Sequence, residues 1–130
     1  MDSFSPHRVI VADDDHDTAD STADLLRLDD YDVRSVYDGL QAVEMARMFR
    51  PHLVILDINM PVMDGCEAAR ALRRQSADSE LVLIAHTSLT QEADLERVRR
   101  AGFDHHVRKP AGRRELEALV ARCLQARAKS

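Results

Sequence analysis

Leu53-Val54-Ile55-Leu56-Asp57-Ile58-Asn59-Met60-Pro61-Val62-Met63-Asp64-Gly65 carries the pattern of one strand–turn–helix unit. Four consecutive apolar residues read as a strand covered on both faces, as in a parallel sheet sheathed by helices. An acid ends the run. Asp64 and Gly65 shape a turn, and one of them starts a helix that carries Ala68, Ala69 and Leu72.

The same unit repeats on either side. Val9 to Ala12 and Leu81 to Ala85 are also continuously apolar, whereas Val33 to Tyr37 and Phe103 to Val107 are mixed and suit edge strands. Between them lie helical patterns. Residues 17–28 place Ala19, Thr22, Ala23, Leu25, Leu26 and Leu28 near a 3.6 period, and residues 39–49 do so with Leu40, Val43, Ala46 and Phe49. Thr90 resembles an N-cap before Gln91 to Arg100, with Gly102 as the glycine that stops the helix. A last helix over 112–126 carries Leu116, Leu119, Val120, Cys123 and Leu124. Five strand–helix units in alternation predict an open α/β sheet with helices on both faces.

The chain has 130 residues, one domain's length, and 45% of them are apolar, which excludes a disordered chain. No linker or second core interrupts residues 7–126, and 1–6 and 127–130 read as loose ends of a single domain over 1–130. Two cysteines, Cys66 and Cys123, make no disulfide framework and read as buried helix residues of a reduced compartment. The longest apolar run is far too short to span a bilayer. The first eight residues carry no apolar targeting core, so the expectation is cytoplasmic. The formal net charge of −5 hides an asymmetry. Residues 1–67 hold 15 acidic and 5 basic side chains, and residues 68–130 hold 8 acidic and 13 basic. Some of those acids are expected to meet at one site.

In open sheets of this kind, ligands bind beyond the carboxyl ends of the strands. There the first strand offers Asp13, Asp14 and Asp15, the third Asp57, the fourth Thr87 and Ser88, and the fifth Lys109 and Pro110. Clustered carboxylates repel unless a cation joins them. A hard ion such as Mg²⁺ uses one or two carboxylates, waters and a phosphate oxygen. A lysine can hold a phosphate as a point charge, and a carboxylate can be a nucleophile toward phosphorus.

These residues reach a known family. Arg8-Val9-Ile10-Val11-Ala12-Asp13-Asp14, Leu56-Asp57 through Asp64-Gly65, His86-Thr87-Ser88, and Ala101-Gly102-Phe103-Asp104 through Lys109-Pro110 together resemble a response-regulator receiver domain of two-component signalling. The resemblance covers about residues 7–126. It implies a flavodoxin-like doubly wound (βα)5 sandwich with strand order 2-1-3-4-5. It implies Asp57 as phosphoacceptor, with Mg²⁺ (or Mn²⁺) held by Asp13, Asp14, Asp57 and the backbone carbonyl of Asn59. It implies Lys109 on a phosphoryl oxygen, Thr87 as the switch hydroxyl with Ser88 beside it, and a cis Lys109–Pro110 bond. Asp15 then caps the first helix, and Asp17 suits its dipole.

The chain departs from the family at several places. His106 stands where many receivers carry an aromatic that swings inward with the threonine, and is a candidate switch residue. His105 and His106 are strand neighbours, so they face opposite ways and cannot share a metal. His86 occupies a position that is often apolar and needs a partner if it points inward. His16 is placed to line the mouth of the site. Asp30 stands where glycine is common and must tolerate a left-handed backbone. Leu89, two residues past Thr87, gives little polar help to a hydrolytic water and points to slow dephosphorylation.

The implied partners are a histidine kinase or a histidine phosphotransfer protein upstream, and an output partner or domain reached through the fourth helix, fifth strand and fifth helix. The chain reads either as a stand-alone regulator or as the receiver part of a larger protein. A weak homodimer through that face is left open, although His105 replaces the second acid that receivers of DNA-binding regulators carry after Asp104. Arg70, Arg73 and Arg74 lie on a different helix from Arg97, Arg99 and Arg100, with no recognition motif, so nucleic acid is not expected as a ligand. A haloacid-dehalogenase-like phosphatase also uses a strand-end Asp and Mg²⁺, but wants a second Asp where this chain has Asn59. A pseudo-receiver that is never phosphorylated would not need the intact acids, Thr87 and Lys109.

Overall fold

The computed structural model describes residues 6–78, 80–88 and 92–128, with the side chains of 127 and 128 left aside. Five strand–helix pairs follow one another: β1 (Arg8–Ala12), α1 (His16–Arg27), β2 (Asp32–Val36), α2 (Gly39–Phe49), β3 (Leu53–Leu56), α3 (Gly65–Gln75), β4 (Val82–Thr87), α4 (Glu92–Arg100), β5 (His105–Arg108) and α5 (Arg113–Ala128). All neighbouring strands pair in parallel, in the order β2-β1-β3-β4-β5.

Alternation along each strand divides the core in two. Ile10, Ala12, Val54, Leu56, Leu83 and Ala85 turn toward α2, α3 and α4. Val9, Val11, Leu53, Ile55, Ile84 and Val107 turn toward α1 and α5. The apolar residues expected on α5 are all buried, as are Ala68, Ala69 and Leu72 of α3.

Several boundaries differ from the sequence expectation. β4 runs to Thr87, because His86 and Thr87 continue the ladder opposite Val107 and Arg108. β5 begins at His105, not at Phe103. Phe103 is buried, but it belongs to the turn that follows Gly102, whose φ is +105°. α5 runs to Ala128, past the expected end at 126. Leu28 is 68% exposed because it lies just past α1 as its C-cap, and Leu40 is 38% exposed at the start of α2, where Ala42 takes the inward place. Thr90, Gln91 and Leu89, read as cap, helix start and water gate, lie outside the described residues, as do 1–5 and 129–130.

Local chemistry sets the helix starts facing the carboxyl edge. Asp15 caps α1 by accepting from the Thr18 N–H, and Asp38 caps α2 through Gln41. Asp64 and Glu67 form a reciprocal capping box on α3. A Cβ on Gly65 would overlap the Asp57 carbonyl, so only glycine lets α3 begin this close to the end of β3. Asp30 sits at φ 66°, the left-handed backbone expected of it. Both cysteines are buried and unpaired.

Candidate functional site

The two inner acids sit one residue past their strands, where each still takes part in the ladder. The Asp13 N–H donates to Val36 at 3.1 Å, and the Asp57 N–H donates to Ala12 at 2.9 Å. These bonds fix the backbones of Asp13 and Asp57 side by side on β1 and β3. Asp13 is 2% exposed and Asp57 7%, whereas Asp14 is exposed at the rim. Carboxylate oxygens of Asp13, Asp14 and Asp57 lie within 4.8 Å of one another, the one such cluster among the described residues.

Lys109 reaches this cluster from the end of β5, after a backbone bond from its N–H to the Thr87 carbonyl at 2.9 Å. Its ammonium donates to Asp13 at 2.6 Å and stands 3.4 Å from Asp57. The Lys109–Pro110 peptide is cis. Burial alone would lower the lysine's pKa. The hydrogen bond to Asp13 and the charge of Asp57 outweigh it, and the net shift is upward. Asp57 moves the other way from a normal salt-bridged acid. Burial lifts its pKa to about 6, against the lowering charge of Lys109; Asp13 adds to the rise, and a bond from the Asn59 N–H opposes it.

Three carboxylates against one ammonium leave two negative charges in a mostly buried pocket. That is the donor set and the charge deficit a small divalent cation fits. Asn59 lies three residues past the end of β3, with its side chain exposed. Thr87 is buried at the end of β4, and Ser88 is exposed just beyond it. The structure thus brings Asp13, Asp14, Asp57, Asn59, Thr87, Ser88 and Lys109 to one edge.

The histidines distribute differently. His106 is exposed on the α4 side of β5, and His105 is exposed on the α5 side. His16 stacks on Tyr37, ring centroids 3.7 Å apart and planes 13° from parallel, while the Tyr37 hydroxyl donates to Asp20 at 2.8 Å. His86 does point inward and is 7% exposed, yet among the described residues no hydrogen bond reaches its ring. Two features escaped the sequence reading. One is the resting bond between Lys109 and Asp13, for which a lysine far along the chain gives no local signal. The other is Val62, in the turn after Asp57, at φ 71°, where a β-branched residue is an outlier.

Residues 9–121 match the sequence profile of the response regulator receiver domain. The chain is 40% identical over 125 residues to the transcriptional regulatory protein PrrA of Mycobacterium leprae, covering 95% of this chain and 52% of that protein. It is 35% identical over 113 residues to the DNA-binding response regulator MtrA of Mycobacterium tuberculosis, covering 87% and 48%. The chain therefore spans about half the length of the curated relatives it matches. Among solved structures, the chemotaxis protein CheY4 of Vibrio cholerae superposes with a TM-score of 0.86 at 26% identity, over 92% of this chain and 99% of that one. The receiver domain of a sensor histidine kinase from Pseudomonas aeruginosa, solved with a magnesium ion coordinated in its active-site cleft, superposes at 0.84 with 29% identity, over 93% and 99%.

Proposed function

The chain belongs to the response-regulator receiver family, and from that premise we propose that Asp57 is its phosphoryl acceptor. The observation that carries this is the placement of Asp57: buried at a strand end, within 4.8 Å of two further carboxylates and 3.4 Å from a lysine. The Asp57 carboxylate attacks the phosphorus of a phosphohistidine. A P–O bond forms, the P–N bond breaks, and the leaving imidazole keeps the electron pair and takes a proton from solvent. Asp13, Asp14, Asp57 and the main-chain carbonyl of Asn59 would hold Mg²⁺ or Mn²⁺, whose charge when bound stabilises the phosphoryl oxygens.

The remaining residues act around that step. Lys109 releases Asp13 and places its ammonium on a phosphoryl oxygen. The Thr87 hydroxyl donates to another, with Ser88 at the mouth. His106 follows as the outer switch residue, and the α4–β5–α5 surface carries the change to an output partner or domain. The chain thus catalyses only its own phosphorylation and dephosphorylation, as one receiver domain over residues 1–130 working in the cytoplasm. Its donor is a histidine kinase or histidine phosphotransfer protein. Among the described residues no helix is long and apolar enough to cross a membrane. Asn59 in place of a second catalytic Asp speaks against the phosphatase reading.

Incubation with phosphoramidate and Mg²⁺ tests the ligand set. A phosphoryl adduct should form on the wild type, vanish with EDTA, and fall at least about tenfold in rate in Asp14→Ala. An adduct that forms equally well in EDTA would count against the cation site.

A further inference from the structure

Between the carboxyl ends of α2 and α3, at the edge of the sheet opposite Asp57, lies a cavity of about 500 Å³. Its size falls within the range of small-molecule sites. Ala46, Pro51, Leu72 and Leu81 line it and are buried, which gives it an apolar floor. Arg8 of β1, Arg47 of α2 and Arg50, the C-cap of α2, line it as well. Residues 1–67 carry five basic side chains, and three of the five meet here.

The fold holds these guanidiniums in place without spending them. The Arg8 Nε donates to the carbonyls of Phe49 and Arg50 at 2.8 and 2.9 Å, which covers the negative end of α2. The Arg47 Nε donates to Gln75 of α3 at 3.1 Å, and Gln75 in turn donates to the Val43 carbonyl at 3.0 Å. Each of these two arginines uses its Nε alone. Among the described residues, the terminal nitrogens of Arg8 and Arg47 and the whole guanidinium of Arg50 donate to nothing. The one carboxylate in the described lining is Asp78, and its Oδ1 accepts from the Glu80 N–H at 2.8 Å. Three cations against one acid leave two positive charges in excess beside apolar surface. Guanidinium forks match the oxygens of carboxylates and phosphates, but only a dianion balances the whole excess. An inorganic anion would leave the apolar floor uncovered.

We propose that this cavity binds a small organic phosphate monoester, its phosphate held by Arg8, Arg47 and Arg50 and its apolar body on Pro51 and Leu81. The site shares no residue with the acceptor edge, and its test needs no phosphoryl transfer.

Phenyl phosphate is the probe, titrated into the ¹⁵N-labelled chain without Mg²⁺ and followed by amide resonances. Inorganic phosphate lacks its ring, benzoate carries a single charge, and benzyl alcohol carries none. Phenyl phosphate should give saturable shifts at Ala46, Arg50, His52 and Leu81, and should bind about tenfold more tightly than each of the other three. Its affinity should fall as salt is raised, because Arg47 and Arg50 are exposed. Arg50→Gln alters a side chain that no hydrogen bond ties to the described fold, and should weaken phenyl phosphate about tenfold; Arg47→Gln should do the same. No saturable shift, shifts confined to the Asp57 edge, benzoate or inorganic phosphate binding as tightly as phenyl phosphate, or wild-type affinity in both variants would each overturn the proposal.

Discussion

Burial and the neighbouring Asp13 hold Asp57 up at about 6, so in the metal-free protein its ionised form is a liability. An acid whose folded pKa lies above its unfolded value of 3.8 takes up a proton on folding. Its destabilising effect is therefore fully present above about pH 6 and fades as pH falls toward 4. Asp57→Asn should stabilise the metal-free protein at pH 7.5 by about 1 kcal/mol, a figure discounted for solvent at the open mouth, and the gain should shrink on acidification. Urea melts at the two pH values check this; a gain that grows toward pH 4 would contradict it. Lys109 has the opposite role. Lys109→Ala strands the buried Asp13 without its 2.6 Å partner and should cost up to about 3 kcal/mol at pH 7.5, less when Mg²⁺ is present. Asp13, Asp14, Asp57 and Lys109 were legible as candidates because strand ends converge in this topology. That the resting lysine is closer to Asp13 than to Asp57 was not, because it depends on how a long flexible arm settles between two carboxylates.

At the scale of elements, the turn from β3 to α3 concentrates the constraints. Gly65 lets the helix start against the Asp57 backbone, and Gly39 does the same for α2 against Met63, whose carbonyl it also bonds. Gly65→Ala should slow phosphorylation as well as destabilise, since α3 must move away from the acceptor's own peptide; a purely thermal effect with an unchanged rate would refute that link. Val62, exposed and at φ 71°, holds a conformation that glycine adopts freely. Val62→Gly should therefore stabilise by about 1 kcal/mol, against the usual sign for a new glycine, in chemical denaturation. Nothing in the sequence marks Val62 as left-handed. By contrast Asp30 was readable, because Asp tolerates that backbone. β3 could be placed to the residue from its four-residue apolar run. β5 could not, because Phe103 is as apolar as a strand residue yet serves a turn, and Asp104 bonds to Leu83 before the ladder begins. Leu28 and Leu40 fit the helical period but sit at helix ends, where periodicity does not guarantee cover.

For the whole molecule, the charge asymmetry of the two halves resolves into function and solvation. Three acids of the first half meet one lysine of the second, leaving a charge deficit that a divalent cation would fill. Mg²⁺ at a hundred times its dissociation constant should raise stability by about 2.7 kcal/mol, and the rise should be largely lost in Asp14→Ala; scanning calorimetry with and without EDTA reads it. Arg73 ties α3 to the turn before β5, with bonds to the Gly102 carbonyl and to Asp104 at 2.7 Å. The α4–β5 region is thereby anchored to the helix that starts against the Asp57 backbone. Phosphorylation of Asp57 is read out by intact mass after incubation with acetyl phosphate and Mg²⁺, followed by borohydride trapping and peptide mapping. One phosphoryl group should add to the wild type, map to residue 57 and be absent from Asp57→Asn. A chain that gains no phosphoryl group from any donor, or an adduct that persists in Asp57→Asn at the wild-type level, would contradict it.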